Sequence, residues 1–364
     1  MLLLSFERLG MANRQSNHIE AYKWIHFLLK NGGQVFQSKH ELKVITDRFP
    51  EGHIYPAGTI FAESPDFTPP STVLTEEAAW KDEYLQSVKR LSLPKRIGVY
   101  NGLNSAPFCF DPYKAVLDLF GLDFEQLSDE QIRGGILADI DLLIVPGGPD
   151  AGESYYAGLG DKGMEEIRQY VWTGGKYLGS CAGAYLPLTA KIGTPQTRMW
   201  LNIIDATDST GLDYWRTGTG FVRVKFSEDG HPAAYGLSYG SPSTLDVIYW
   251  EGPGIETTDA ENVTVLATYD EFLASGSQKP NWQVDGNQCA VDSLEWSNPL
   301  SQQRFDAYLK GKAAAVEATA GNGKLVLFSF HPEFGSPVTG AWEQSLTHLL
   351  ILNSIYHLCS TDIE

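Results

Sequence analysis

Apolar positions change rhythm several times along the first ninety residues. Asn17 to Lys30 carries Ile19, Tyr22, Ile25, Leu28 and Leu29 at helical spacing, and Gly32-Gly33 closes the run. Short strand-like runs follow at Gln34 to Phe36, Leu42 to Ile45 and Thr59 to Phe61, separated by turn residues such as Pro56-Ala57-Gly58. A helix is predicted from about Thr75 to Arg90, with Thr75 as N-cap. Leu93-Pro94-Lys95 reads as a linker. The first ten residues carry no clear pattern, and Met11 is a second candidate start.

From Arg96 the pattern alternates strand and helix. Ile97 to Tyr100 and Asp141 to Val145 are short, continuously apolar runs of the kind buried on both faces. Asp111-Pro112 is expected to open a helix that ends at Phe120-Gly121. Ser128 to Gln131 fits a capping box. Met164, Ile167 and Val171 mark a helical stripe stopped by Gly174-Gly175, and the Lys176 to Gly179 strand follows at once.

Beyond Ala190 the chain turns β-rich. Val222 to Phe226, Leu245 to Trp250 and Val263 to Thr268 alternate as strands do, and Glu271 to Ser301 is a polar excursion with no clear period. Ala313 to Thr319 and Lys324 to Phe330 flank Gly321-Asn322-Gly323, a hairpin signal. Trp342 to Leu358 is the last apolar helix. The pattern implies an α/β fold: a mostly parallel sheet with helices on both faces and a β-rich insert. A small α+β accessory unit is expected over residues 1–93, ahead of a main domain over 94–364.

Composition adds exclusions. The chain has 364 residues, 43% of them apolar, and a net charge of −18, which disfavours nucleic acid and anionic membranes as partners. No apolar run reaches the ~20 residues of a membrane span. Met1 to Phe6 is too short for a signal segment. The four cysteines, Cys109, Cys181, Cys289 and Cys359, are widely spaced, so a reducing, cytoplasmic setting is expected. No H-E-x-x-H or phosphate-loop spacing occurs. Neither a metal nor another cofactor is expected.

The candidate chemistry lies at three strand ends. Gly179-Ser180-Cys181-Ala182-Gly183 is a strand–turn–helix elbow with a central cysteine. Small neighbours allow the strained turn that lifts the sulfur toward helix-start N–H groups, which favour a thiolate. His331, just past the Leu325 to Phe330 strand, is the expected base, and Glu333 can orient its imidazole. The Ala182 and Gly148 N–H groups are oxyanion donors. Gly147, Asp150 and Tyr185 flank them as expected substrate contacts. Cys109, Cys289, Cys359 and the tryptophans Trp200, Trp215, Trp250, Trp282 and Trp296 read first as packing residues.

Together these motifs resemble the class I glutamine amidotransferase-like superfamily, and within it the family of the N-terminal domain of eukaryotic biotin–protein ligase. The resemblance rests on Leu143 to Asp150, Ile167 to Val171, Gly174 to Tyr185 and Phe328 to Glu333. It implies a flavodoxin-like sheet with Cys181 as nucleophile, His331 as base, Glu333 as orienting acid, and Gly148 and Ala182 as the oxyanion hole. Glutamine-hydrolysing members usually carry Gln or Met where Tyr185 stands, a departure that weakens glutamine as the implied substrate. No G-R-G-R-x-G biotinyl-adenylate motif occurs, and biotin ligase activity is not expected. The elbow also resembles that of dipeptidase E and cyanophycinase, with Cys for Ser. The expected activity is cleavage of a C–N bond in a small-molecule or peptide-like substrate through a thioester. The alternatives are a catalytically silent ligand-binding or regulatory module, or an ammonia-donating subunit of a synthase whose partner the residues do not identify.

Overall fold

The computed structural model describes the chain apart from residues 7–16, 64–66, 104, 106, 191–196, 211–212, 214–215, 228–229, 238–243, 258–260, 276–282, 285–286, 289–297, 337–341 and 363–364. Its main sheet runs in the order Thr244–Trp250, Thr219–Phe226, Val263–Ser275, Ala313–Ala320, Gly323–Phe328, Lys176–Ser180, Leu142–Val145, Ile97–Tyr100, Glu125–Leu127. The last five are mutually parallel. The others pair antiparallel, so the β-rich insert extends the same sheet.

The parallel strands are buried on both faces because their side chains alternate between two cores. Leu142 and Ile144 join one core while Leu143 and Val145 join the other; Leu178 and Tyr177 divide the same way. Helices Pro107–Leu119 and Thr347–Cys359 cover the first face, and Ala151–Trp172 covers the second. The Ser128 capping box forms as expected, with Gln131 returning the bond. The register aligns three strand ends: Val145 opposite Gly179, and Ser180 opposite Phe328. The loops that follow them therefore meet at one edge, where α/β sheets place their ligand sites.

Five strands before Leu93, joined by Thr361–Asp362, build a second, six-stranded antiparallel sheet. Its order is Thr361–Asp362, Val88–Arg90, Gln34–Ser38, Ile60–Glu63, Leu2–Leu4, Glu76–Glu77. Helix Asn17–Lys30 forms as the periodicity predicts. Its Tyr22 meets Phe120 edge-on and stacks on Tyr356, so it shares a core with the main sheet's helices.

Several elements differ from expectation. Leu2–Leu4, patternless by sequence, is an inner strand with Leu3 and Leu4 wholly buried. The expected Thr75–Arg90 helix is instead strand Glu76–Glu77, the 3₁₀ turn Asp82–Ser87 and strand Val88–Arg90. Strand pairing to Leu2–Leu4 wins over helix propensity there, and the buried Glu76 carboxylate accepts from Tyr55 Oη and from Thr46 Oγ1 at 2.9 Å. The helix expected from Asp111 begins at Pro107 and carries Pro112 inside it. The excursion after Glu271 starts as strand up to Ser275. The last helix starts at Thr347, after a 3₁₀ turn at Trp342–Gln344. Met11, Cys289, Trp215, Trp282 and Trp296 lie outside the described residues.

Candidate active site

The Lys176–Ser180 strand delivers the chain to Cys181, whose φ of 50° and ψ of −116° are strained for a residue with a β-carbon. The flanking glycines make that turn possible. A β-carbon on Gly183 would collide with the Val145 carbonyl oxygen, and one on Gly179 with the Gly183 carbonyl oxygen. Tyr177 Oη donates to Gly183 O at 2.6 Å and pins the far side of the turn. Ala182 opens the short helix Ala182–Tyr185. Its N–H is in the first turn, where no intrahelical acceptor exists.

His331 and Glu333 are completely buried. His331 Nδ1 lies 2.7 Å from Glu333 Oε1, which places a proton on Nδ1 facing the carboxylate. Phe334 stacks on the imidazole with centroids 4.1 Å apart, and Ser180 Oγ donates to Glu333 Oε1 at 3.4 Å. Burial alone lowers an imidazole's pKa. The Cys181 sulfur and the Glu333 carboxylate outweigh it and push His331 up to about 10.

Cys181 Sγ donates to the Trp250 carbonyl at 3.2 Å, and His331 Nε2 has no hydrogen-bond partner among the described residues. Gly147 fills the space between these groups. A β-carbon there would sit 2.8 Å from His331 Cε1, 3.1 Å from Cys181 Cβ and 3.1 Å from Cys109 Sγ. Tyr155 Oη holds the Pro146 carbonyl at 2.5 Å and fixes the turn above it.

A cavity of about 260 Å³ opens over Cys181 and His331. Of the expected contacts, Gly148, Asp150, Ala182 and Tyr185 line it, and Gly147 packs beneath it. Four lining residues, Pro149, Trp250, Glu251 and Cys109, were not among the expected site residues. Trp250 ends an edge strand that curls back, its position fixed by the His331 N–H bond to Ile248 O at 3.1 Å. Glu251 follows with a φ of 49°. Cys109 arrives because its helix begins a turn early. Burial first, then Cys181 and Glu333, hold the Cys109 thiol well above its usual pKa, so it stays protonated. Cys359 lies remote, on the last turn of the C-terminal helix.

Among the described residues, one group places metal-ligating atoms together: His231, Glu317 and His357. Both imidazole Nε2 atoms lie near Glu317 Oε2, at 2.5 and 2.7 Å. His231 Nδ1 accepts the Ala233 N–H at 3.1 Å, so its proton sits on Nε2 and faces the carboxylate. That tautomer suits a hydrogen-bonded cluster and opposes metal ligation at Nε2.

An α/β sheet with a cysteine elbow beside a His–Glu pair at adjoining strand ends defines a class I glutamine amidotransferase-like protein. A family model described as "Biotin-protein ligase, N terminal" matches residues 136–349, more than half of the chain, and the protein belongs to that family. Biotin–protein ligase of Schizosaccharomyces pombe is 26% identical over 273 residues, which cover 71% of this chain and 37% of that protein. Pyridoxal 5'-phosphate synthase subunit PdxT of Koribacter versatilis is 36% identical over 78 residues, covering 21% of this chain and 36% of that protein. The chain thus spans just over a third of the length of both curated relatives. A crystal structure of a glutamine amidotransferase matches with 17% identity and a TM-score of 0.42, covering 72% of this chain and 97% of that one. A glutamine amidotransferase from Thermotoga maritima matches with 14% identity and a TM-score of 0.38, covering 66% and 76%. No described helix is long and apolar enough to cross a membrane.

Proposed function

We propose that this protein is a cysteine-nucleophile hydrolase or amidotransferase-like enzyme acting on a C–N amide bond. The observation that carries the reading is the strained Cys181 elbow set against a buried His331–Glu333 pair. Cys181 Sγ passes its proton to His331 Nε2 and attacks the acyl carbon, forming a C–S bond. The developing oxyanion lies near the Gly148 and Ala182 N–H groups. The C–N bond then breaks, and His331 gives its proton to the leaving nitrogen. Water, deprotonated by His331, attacks the thioester, and the acid and the cysteine are released. Glu333 keeps the imidazole in the productive tautomer throughout, while Asp150 and Tyr185 contact the substrate. Residues 1–93 serve as an accessory unit bracing the catalytic sheet.

A screen of small amides, amino-acid amides and short peptides tests this reading, with Cys181→Ser alongside wild type. Turnover that vanishes in the variant supports it. The second reading is a ligand-binding module without turnover, favoured by the Cys181 bond to the Trp250 carbonyl. It predicts binding of the same compounds with no product from either protein. Similarity to a synthase subunit motivates a third test, glutaminase activity that appears only with an added partner.

A further inference from the structure

We propose that the cavity selects acyl substrates carrying a positively charged amine beside the reacting carbonyl, and that Glu251 reads that charge. The inference rests on the cysteine-nucleophile reading above and deepens it. Among the described lining residues the acids are Asp150 and Glu251, the one base is His331, which is paired with the Glu333 carboxylate behind it, and no lysine or arginine is present. Glu251 follows directly on Trp250, whose carbonyl holds the Cys181 thiol, so its carboxylate is tied to the nucleophile through one peptide unit.

Its placement is built rather than incidental. A non-glycine residue at φ 49° is held there by the close approach of Gly252 to the Ser329 carbonyl, which leaves no room for a side chain. Asn298 Nδ2 donates to Glu251 Oε1, Arg304 Nη1 supports Asn298 Oδ1 at 2.6 Å, and the Glu251 N–H bonds Gly218 O at 3.2 Å. Glu251 Oε2 accepts no hydrogen bond among the described residues. Burial raises the Glu251 pKa, with Asn298 and Arg304 pulling it back, so a cation in the cavity relieves a desolvated carboxylate. The Trp250 ring offers an aromatic wall that suits the same cation. The cavity is below the ~300 Å³ of the smallest drug-sized pockets, which points to a compact amine-bearing amide.

Matched methanethiosulfonate reagents test the inference without requiring turnover. Cys181 Sγ attacks the reagent's sulfenyl sulfur, a disulfide forms and methanesulfinate leaves. The ethylammonium and ethylsulfonate reagents are compared at pH 8, with peptide mapping to separate Cys181 from Cys109. The expected result is a cation-to-anion rate ratio at least tenfold above that of free cysteine, kept in Glu251→Asp and reduced toward the free-thiol ratio in Glu251→Gln. An unchanged ratio in Glu251→Gln overturns the proposal. A second readout uses the Cys181→Ser protein and calorimetry with β-alaninamide and succinamate, near-isosteric amides of opposite charge. Tighter binding of β-alaninamide, by tenfold or more, supports charge selection; equal or reversed affinities overturn it. Slow labelling by both reagents with the ratio intact would count against the nucleophile reading alone.

Discussion

Cys181 Sγ donates to the backbone carbonyl of Trp250 at 3.2 Å, a bond that holds the sulfur beside His331. The acceptor is a main-chain atom on a strand that curls in from the far edge of the sheet. In the proposed reaction, transfer of the Cys181 proton to His331 takes the place of that bond. On the mechanism proposed above, an acyl group seated over Ala182 and Gly148 draws the sulfur away, because attack places it on the substrate carbon.

The His331–Glu333 pair leads to the first prediction. Replacing Glu333 with Gln removes one of the two influences that raise the imidazole, while burial continues to lower it. The His331 pKa then falls below about 10, read by the imidazole proton shifts in NMR. Turnover falls by roughly 10²-fold or more in His331→Ala, in line with loss of general acid–base help. An unmoved imidazole in Glu333→Gln would show that the carboxylate does not set its charge.

The elbow makes a stability prediction. Gly183→Ala puts a methyl into the Val145 carbonyl, backbone against backbone, so nothing flexible can yield. The expected loss is about 3 kcal/mol or more, seen as a lower urea midpoint. Gly121→Ala serves as the control: no atom lies near its β-position, and its φ of 69° costs only local strain. Equal effects at both sites would contradict the elbow packing.

Buried histidines set the acid limit. Burial lowers His26 to about 4 and His348 to about 3. Their folded pKa values lie below the unfolded 6.5, so their contribution is complete above pH 6.5 and is lost as pH falls toward those values. By pH 5 each withdraws about 2 kcal/mol. His331 has the opposite sign: its contribution is complete below pH 6.5 and is lost as pH rises through about 10. Urea midpoints at pH 7.5 and pH 5 test this, with His26→Gln expected to lose less on acidification than wild type.

The six-stranded sheet meets the rest of the chain through its edge and through helix Asn17–Lys30. Thr361–Asp362 pairs with Val88–Arg90, and His26 lies 2.6 Å from both Phe120 O and Tyr356 Oη. A chain beginning at residue 94 therefore exposes Phe120 and Tyr356, and is expected to be aggregation-prone. Leu4→Ala in the intact chain costs about 2–5 kcal/mol. A stable, monomeric 94–364 fragment with an unchanged unfolding midpoint would contradict this bracing role.

Much of the main sheet was legible because its signals are local. Asp141 to Val145, the capping box at Ser128 and the Gly321–Gly323 hairpin each declare themselves within a few residues. The elbow did so through small residues around one cysteine. What failed depends on distant partners. Leu2–Leu4 is a strand only because Ile60–Glu63 and Glu76–Glu77 flank it, and that same pairing overrides the helix-favouring Glu76 to Ala79. Trp250 and Glu251 reach the cavity through the curl of an edge strand, which no spacing along the chain encodes. Cys109 was nearer to being legible. Pro107 is a good first helical residue, and reading it as such would have brought the cysteine one turn closer to Gly147.

The rate of Cys181 alkylation by limiting iodoacetamide between pH 5.5 and 9 tests most directly whether His331 activates Cys181. Wild type is expected to label Cys181 faster than free cysteine at pH 6 to 7, on a profile that His331→Gln displaces toward an ordinary thiol, with Cys109 unreactive in both. If Cys181 instead tracks free cysteine across the whole range, and His331→Gln leaves its rate unchanged, the activated nucleophile does not exist.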